Sequence, residues 1–595
     1  MKRWAVLIAV LASTIAGYFA WDRLNRPPAD QMHWFEGVRG PEGVSEVPDP
    51  TATTISQFER GGPHRLAILV TDPESGWLGL VRGFRALGVP ITVTQDVDRA
   101  LQHRVVLVYP IVSGQVLEGS EIRALANHIR SGGTMVAFNL AGGGLEELFG
   151  VRVGQETSAR TRLRWTDPTG EPESDEVIVS GIGEAQISSV GYESVSAPVL
   201  GRFSDGSAGV TCRDVGGQAC LLGVDLGSLA QRAMNGRADS LSRSYVNGYE
   251  PSLDSLFRLV RDVYVAGEPM PWLVSTVPTG REVSILFTHD IDFGRSVTNA
   301  SAFAKALEAR GTRGTFFVQT KYMKDYNDSI FFDDTTVPSL AALAGAGHEV
   351  ASHTVAHSGR FEDMVMGTGR ERYPAYRPKV TSVSGVDDAT ILGELRVSKF
   401  LIEETTKAEV RSFRPGRLSY PFSLPQAMSA TGYRYSSSIT ANIVLTHLPF
   451  QLTNGRADGA LQPVFEFPVT IEDELPPRMG DRIHTGNALI EKIGRHQGVA
   501  VILTHPNITD HKLRFVEAVA DYWQGRAWMG TVAQFGTWWE QRDALETDVV
   551  ERDGRFYLIS ASSLPIEAVT ITLPKAGGRR IDLSAYGPTR TEIPI

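Results

Sequence analysis

Between about residues 270 and 545, short apolar, β-rich runs alternate with stretches of helical periodicity. This alternation restricts that part of the chain to a parallel sheet with helical crossovers. Seven runs qualify, at 283–290, 314–319, 348–353, 411–415, 433–439, 464–470 and 499–504, and helices such as 387–406 fill most gaps. Seven strands with interposed helices describe an incomplete (β/α)7 barrel, an architecture that gathers active residues at the C-terminal ends of its strands. Asp290, His353, Arg414 and His505 all stand at such ends.

The first of these strands runs into Thr288-His289-Asp290-Ile291-Asp292. Side chains alternate along a strand, so Asp290 and Asp292 project to one side and His289 to the other. About sixty residues later the chain reads His353-Thr354-Val355-Ala356-His357, a spacing that puts both imidazoles on one face of a helix or a turn. One carboxylate with two histidines leaves open positions on a zinc-like ion, as a catalytic site requires, and the second carboxylate is then free to act as a base.

The 595 residues exceed what one core supports, and five segments are expected. Residues 1–25 hold Lys2, Arg3 and an apolar run from Trp4 to Ala20, which reads as an inner-membrane anchor that leaves the remainder facing the periplasm. A cleaved signal peptide and secretion are the alternative. Residues 26–63, rich in Pro, Gly and acidic residues, read as a linker. Residues 64–268 again alternate, with strands at 64–70, 90–94, 104–109 and 134–139 and a helix at 120–130, which predicts a doubly wound parallel sheet. The barrel takes 269–545, and short β-like runs at 546–595 read as a small β module.

Cys212 and Cys220 flank a Gly-Gly turn, so they oppose each other in a hairpin. That spacing permits a disulfide in an oxidising compartment, two unpaired buried thiols being the alternative. The net charge of −10 comes without a basic stripe, which argues against a nucleic-acid partner.

Two family resemblances follow. Residues 65–265 resemble the class I glutamine-amidotransferase-like, flavodoxin-type domain. That family's nucleophilic cysteine would follow the central strand, yet Pro110-Ile111-Val112-Ser113-Gly114 stands there, so this domain reads as a non-catalytic docking or glycan-contacting module. Residues 280–540 resemble the NodB-type polysaccharide deacetylases, carbohydrate esterase family 4. The resemblance is carried by the aspartate and histidine motifs above with Gly314-Thr315-Phe316-Phe317-Val318, Phe413-Arg414-Pro415, Gly432-Tyr433-Arg434-Tyr435 and Leu503-Thr504-His505.

It implies that Asp290 is the general base, that Asp292, His353 and His357 hold Zn²⁺ (or Co²⁺, Ni²⁺ or Mn²⁺), that Arg414 orients Asp290, and that His505 protonates the departing amine. The substrate it implies is an acetylated polysaccharide. Exopolysaccharide or cell-wall assembly proteins are the expected partners, and an O-acetyl esterase, a non-sugar amidohydrolase or a silent glycan-binding protein are the rival readings. Three departures stand out. The family's adjacent aspartates are spaced as Asp-Ile-Asp, the third motif reads Arg414-Pro415-Gly416-Arg417-Leu418, and no fourth motif is apparent, which leaves one wall of the sugar pocket unassigned. Arg417 and Tyr373, the latter in the long segment 358–385, are the candidate substrate contacts.

Overall fold

A computed structural model describes residues 31–595 apart from 153, 167–175, 179–186, 235–245, 250–251, 327–328, 442–446, 456–458 and 586. The apolar N-terminal run lies outside the described residues, and among these no helix is long and apolar enough to cross a membrane.

The chain folds as mixed α/β. In the N-terminal domain five parallel strands lie in the order Ile91–Thr94, Leu66–Val70, Val105–Tyr109, Thr134–Ala137 and Gln218–Leu222. Strand alternation splits their side chains between two cores. Leu66, Ile68 and Val70 pack with Phe84, Leu229 and Phe257, whereas Ala67 and Leu69 pack with Leu125 and Ile129 on the other face. Helices therefore cover both faces, but the sheet is not the wholly parallel flavodoxin-type sheet expected. Four antiparallel strands, Ala208–Asp214, Val199–Phe203, Arg162–Trp165 and Glu176–Ile178, extend it. The reason is connection length: Gly206 and Gly216 sit in turns too short for a parallel crossover, so the chain turns back on itself. Cys212, on the first strand of this extension, opposes Cys220 on the neighbouring strand Gln218–Leu222, and the two are disulfide-bonded.

The barrel sheet contains, among the described residues, the seven expected parallel strands, Ser284–Ile291, Thr315–Val318, Glu349–Ser352, Ser412–Phe413, Tyr435–Ser436, Leu461–Glu466 and Val499–Thr504. It also holds an eighth that the sequence did not show, Trp528–Gly530, parallel to Ser284–Leu286, with Phe450–Thr453 antiparallel at its edge. The sheet curls until its two ends meet. Thr470 and Ile471 donate their N–H groups to Val501 O, and Leu503 donates to Ile471 O. The strand Ser284–Ile291 is buried at every position, and each large apolar side chain so buried contributes about 1.5–3 kcal/mol of transfer free energy.

One expectation about the flanks is corrected. Residues 31–63 do not form a free linker. Met32 pairs with Met323 and Gly40 with Tyr373, Phe35 is buried against Phe332 and Tyr373, and Arg396 Nη2 donates to Gly43 O at 3.0 Å. A few apolar anchors in a Pro- and Gly-rich stretch are enough to strap it across the barrel. The C-terminal strands form two antiparallel sheets, one of which takes in Leu273–Val274 from the start of the barrel segment. Trp538 Nε1 donates to Glu567 O and Trp272 Nε1 to Thr547 Oγ1, so these strands are docked on the rest of the chain.

Candidate metal and catalytic site

The ends of the barrel strands converge on one cleft. The strand Ser284–Ile291 delivers Asp290 and, one residue beyond its end, Asp292. His289 faces away, buried between Phe303 and Phe316, with Nδ1 2.6 Å from Thr504 Oγ1. Burial pushes its imidazole down to about 3, so it stays neutral.

His353 and His357 are brought together by a turn, not a helix. Thr354 and His357 adopt left-handed backbone conformations, φ 67° and 50°, which a β-branched residue such as Thr354 takes only when its surroundings impose it. The buried Glu394 imposes it. Its Oε2 accepts the N–H groups of Val355 and Ala356 at 2.8 and 2.7 Å, and Tyr376 Oη donates to its Oε1 at 2.7 Å. Opposite, Gly416 is glycine for a steric reason: a Cβ there would stand 2.7–2.8 Å from the backbone and ring of His357.

His353 Nδ1 lies 2.8 Å from Arg414 O, a bond that places the proton on Nδ1 and leaves the Nε2 lone pair for the cleft. Asp292 Oδ1 is 3.3 Å from His353 Nε2 and 3.5 Å from His357 Nε2. That oxygen is buried and makes no hydrogen bond. Among the described residues, Asp292, His353 and His357 form a group whose ligand atoms lie within 4.8 Å of one another. An orphaned carboxylate oxygen facing two imidazole lone pairs fits a divalent cation. Burial works to raise the Asp292 carboxyl, and the imidazoles of His357, His353 and His505 outweigh it and hold the carboxyl well below the usual range. Burial brings His357 down to about 4, a neutral ring ready to ligate.

Arg414 is fully buried. Its Nη1 donates to Asp290 Oδ1 at 2.7 Å, its Nε and Nη2 to Ser437 O and Oγ at 3.1 and 2.8 Å, and it stacks 4.3 Å over the Phe317 ring. The second Asp290 oxygen is left beside the cleft, 3.8 Å from His353 Nε2. On the other side, His505 Nε2 lies 3.5 Å from Asp292 Oδ2 while its Nδ1 lies 2.7 Å from Asp473 Oδ1. Burial alone would lower His505, but the charge and hydrogen bond of Asp473 overcome this and push it up to about 10. Asp473, with burial opposed by His505 and Lys512, is held down at about 2.

The cleft encloses about 680 Å³. Arg417 lines it, with Tyr326, Val383, Leu475 and Asn507. Tyr373 does not: it is fully buried, its hydroxyl accepting from Phe35 N–H and donating to His33 O, so the N-terminal strap claims the surface that the sequence offered to substrate. A larger cavity of about 970 Å³ lies where the N-terminal domain meets the C-terminal strands. Its Arg65, Arg85 and Arg542 are committed to main-chain carbonyls and to Asp543 and Asp548. Sequence reasoning missed Asp473, Lys512 and Glu394. Asp473 alone carried a signal, since it follows the run 464–470 where a strand-end residue belongs.

Residues 278–436 match the model of the polysaccharide deacetylase family. Solved structures similar to this chain include a carbohydrate esterase family 4 domain of a multidomain xylanase from the hindgut metagenome of Trinervitermes trinervoides. It is 13% identical, with 43% of this chain and 89% of that one covered and a TM-score of 0.27. A family 4 pseudoenzyme from Bacillus anthracis is 14% identical over 43% and 66%, with a TM-score of 0.26. A family 4 carbohydrate esterase from Streptomyces lividans in complex with acetate is 14% identical over 42% and 92%, with a TM-score of 0.25. No curated protein matches the chain.

Proposed function

We propose, because residues 278–436 match the polysaccharide deacetylase family, that the protein is a metal-dependent hydrolase that removes acetyl groups from an N-acetylated polysaccharide outside the cytoplasm. The observation that carries this reading is the Asp292, His353 and His357 group with a paired carboxylate, Asp290, and a paired imidazole, His505, beside it. Asp292 Oδ1 and the two Nε2 atoms would hold the ion, Zn²⁺ by its donor set. A divalent cation bound there supplies Lewis acidity, polarising the acetyl carbonyl and bringing water towards deprotonation near neutral pH.

The chain's own groups do the rest. Arg414 occupies Asp290 Oδ1, so Oδ2 takes the proton of the attacking water while its hydroxyl adds to the acetyl carbon. The C–N bond then breaks, the electron pair leaves with nitrogen, and His505 Nε2 gives that nitrogen its proton, releasing acetate and an amine. The Asp473 carboxylate stabilises the protonated ring until that moment. Two features support export: the Cys212–Cys220 disulfide, which an oxidising compartment maintains, and the apolar run Trp4–Ala20 behind Lys2 and Arg3.

The test is acetate release from N-acetylglucosamine oligomers and polymers by the full chain, with Zn²⁺, with chelator, and with Asp292→Asn. Release that chelator abolishes, metal restores and the variant lacks is the expected result. Stoichiometric metal uptake with no acetate from any of these substrates would overturn the reading.

A further inference from the structure

Lys512 occupies the third position of the helix Asp510–Trp523, in the first turn, where the helix dipole favours anions and opposes a cation. Its side chain is 7% exposed, although it stands in the wall of the catalytic cleft. A buried ammonium at a helix N-terminus has no reason to be there for the helix's own stability, so its partners must account for it.

An ammonium has three N–H donors, and all three are engaged. Nζ lies 2.8 Å from Asp473 Oδ2, 3.1 Å from His505 O and 3.0 Å from Asn507 Oδ1. None is left for a ligand in the cleft. Asp473 Oδ2 also accepts the main-chain N–H of His505 at 2.6 Å, and Oδ1 faces His505 Nδ1. Lys512, Asp473 and His505 therefore close a ring of contacts in which the ammonium ties the carboxylate to the carbonyl of the residue whose imidazole it supports.

We propose that Lys512 is a positioning residue for the proton-donating imidazole. By pinning Asp473 Oδ2 and His505 O to one point it fixes the plane of the carboxylate, and so the direction in which His505 Nε2 points. The inference rests on His505 acting as the acid in the reaction above. It requires that the loss on removing Lys512 fall on kcat, and only for a leaving group that needs a proton.

The experiment compares the full chain, its Lys512→Met and its Lys512→Gln on two substrates, an N-acetylglucosamine oligomer and 4-nitrophenyl acetate, whose phenolate departs unprotonated. Lys512→Met should lower kcat on the amide about 10- to 100-fold with KM within about 2-fold, and change kcat on the ester by less than about 3-fold. Lys512→Gln keeps N–H donors and should recover part of the loss. Equal losses on both substrates mean general structural damage and overturn the proposal. A raised KM with unchanged kcat overturns it too, because Lys512 would then contact substrate. If the unaltered chain cleaves the ester and not the amide, the deacetylase reading fails on its own. A crystal structure of Lys512→Met then decides this proposal: an Asp473 carboxylate and a His505 ring that have not moved would end it.

Discussion

The molecule carries two sheets built on parallel strands with helical crossovers, and the ends of those strands differ in one respect. At the ends of the N-terminal sheet the polar atoms satisfy one another. Thr71 Oγ1 donates to Ile111 O at 2.8 Å, Tyr109 Oη to Asp225 Oδ1 at 2.5 Å, and Tyr192 Oη accepts from Leu140 N–H at 2.9 Å. At the barrel ends, Asp292 Oδ1 is buried without a hydrogen bond, two imidazoles face it, and Asp290 and His505 are each held from behind by a buried partner. The architecture delivers side chains to one edge in both sheets. Chemistry is possible where that edge is left unsatisfied.

The strongest way to break this comparison is to remove the base and leave the metal group alone. Asp290→Asn should lower kcat by about 10²–10⁴-fold, with metal uptake, measured by elemental analysis, unchanged. An Asp290→Asn chain that releases acetate at the original rate would show that the unsatisfied edge is not the reaction centre.

Burial also makes the barrel responsive to pH. Glu466, at the end of its strand, accepts the N–H groups of Ser438 and Ile439 with Oε1, and burial pushes its carboxyl up to about 7. The folded chain keeps this proton up to about pH 7, whereas an unfolded glutamate loses it near 4.5. The folded form binds more protons between those values, so stability falls as pH rises from about 4.5 to 7, by about 3 kcal/mol from this group. Glu394, pushed up to about 6 by burial, adds a smaller slope of the same sign. Denaturant unfolding at several pH values should be steeper for the native chain than for Glu466→Gln. Identical slopes would mean that Glu466 is ionised throughout.

Glu394 also separates the two sheets in a way activity does not read. Glu394→Ala removes the oxygen that accepts both N–H groups of the 353–357 turn and should weaken metal binding, followed by calorimetry, by about 10- to 100-fold. Glu394→Gln keeps an acceptor and should lose less. Unchanged affinity in the alanine variant would show that the turn holds its left-handed residues unaided.

What the sequence disclosed follows the same division between strand ends and their supports. The seven barrel runs were legible because buried parallel strands are continuous apolar stretches bounded by turn residues, and Asp290, Asp292, His353, Arg414 and His505 because they terminate such runs. The strands Ser412–Phe413 and Tyr435–Ser436 are shorter than their apolar runs, since only two residues of each join the ladder. The supports were not legible. Glu472-Asp473-Glu474 reads as a solvated acidic turn until His505 is seen beside it, and Glu394 and Lys512 are charged residues on helices, the commonest pattern of an exposed face. Tyr373 misled for the converse reason: an aromatic among arginines in a long loop reads as a ligand contact, and only the distant Phe35 and His33 show what it is for.

The smallest effect is expected where the edge is satisfied. Tyr109→Phe removes a buried hydroxyl from the N-terminal sheet. Asp225 keeps Ser228 N–H at 3.0 Å as a partner, so its carboxylate is not stranded and the cost in stability should be about 1 kcal/mol. Acetate release should stay within about 2-fold of the unaltered chain, since Tyr109 shares no partner with the barrel groups. A thermal melt and the acetate assay on one preparation decide the matter. If release falls further than the lowered stability accounts for, the N-terminal strand ends take part in the reaction, and the division between a satisfied and an unsatisfied edge no longer separates support from chemistry.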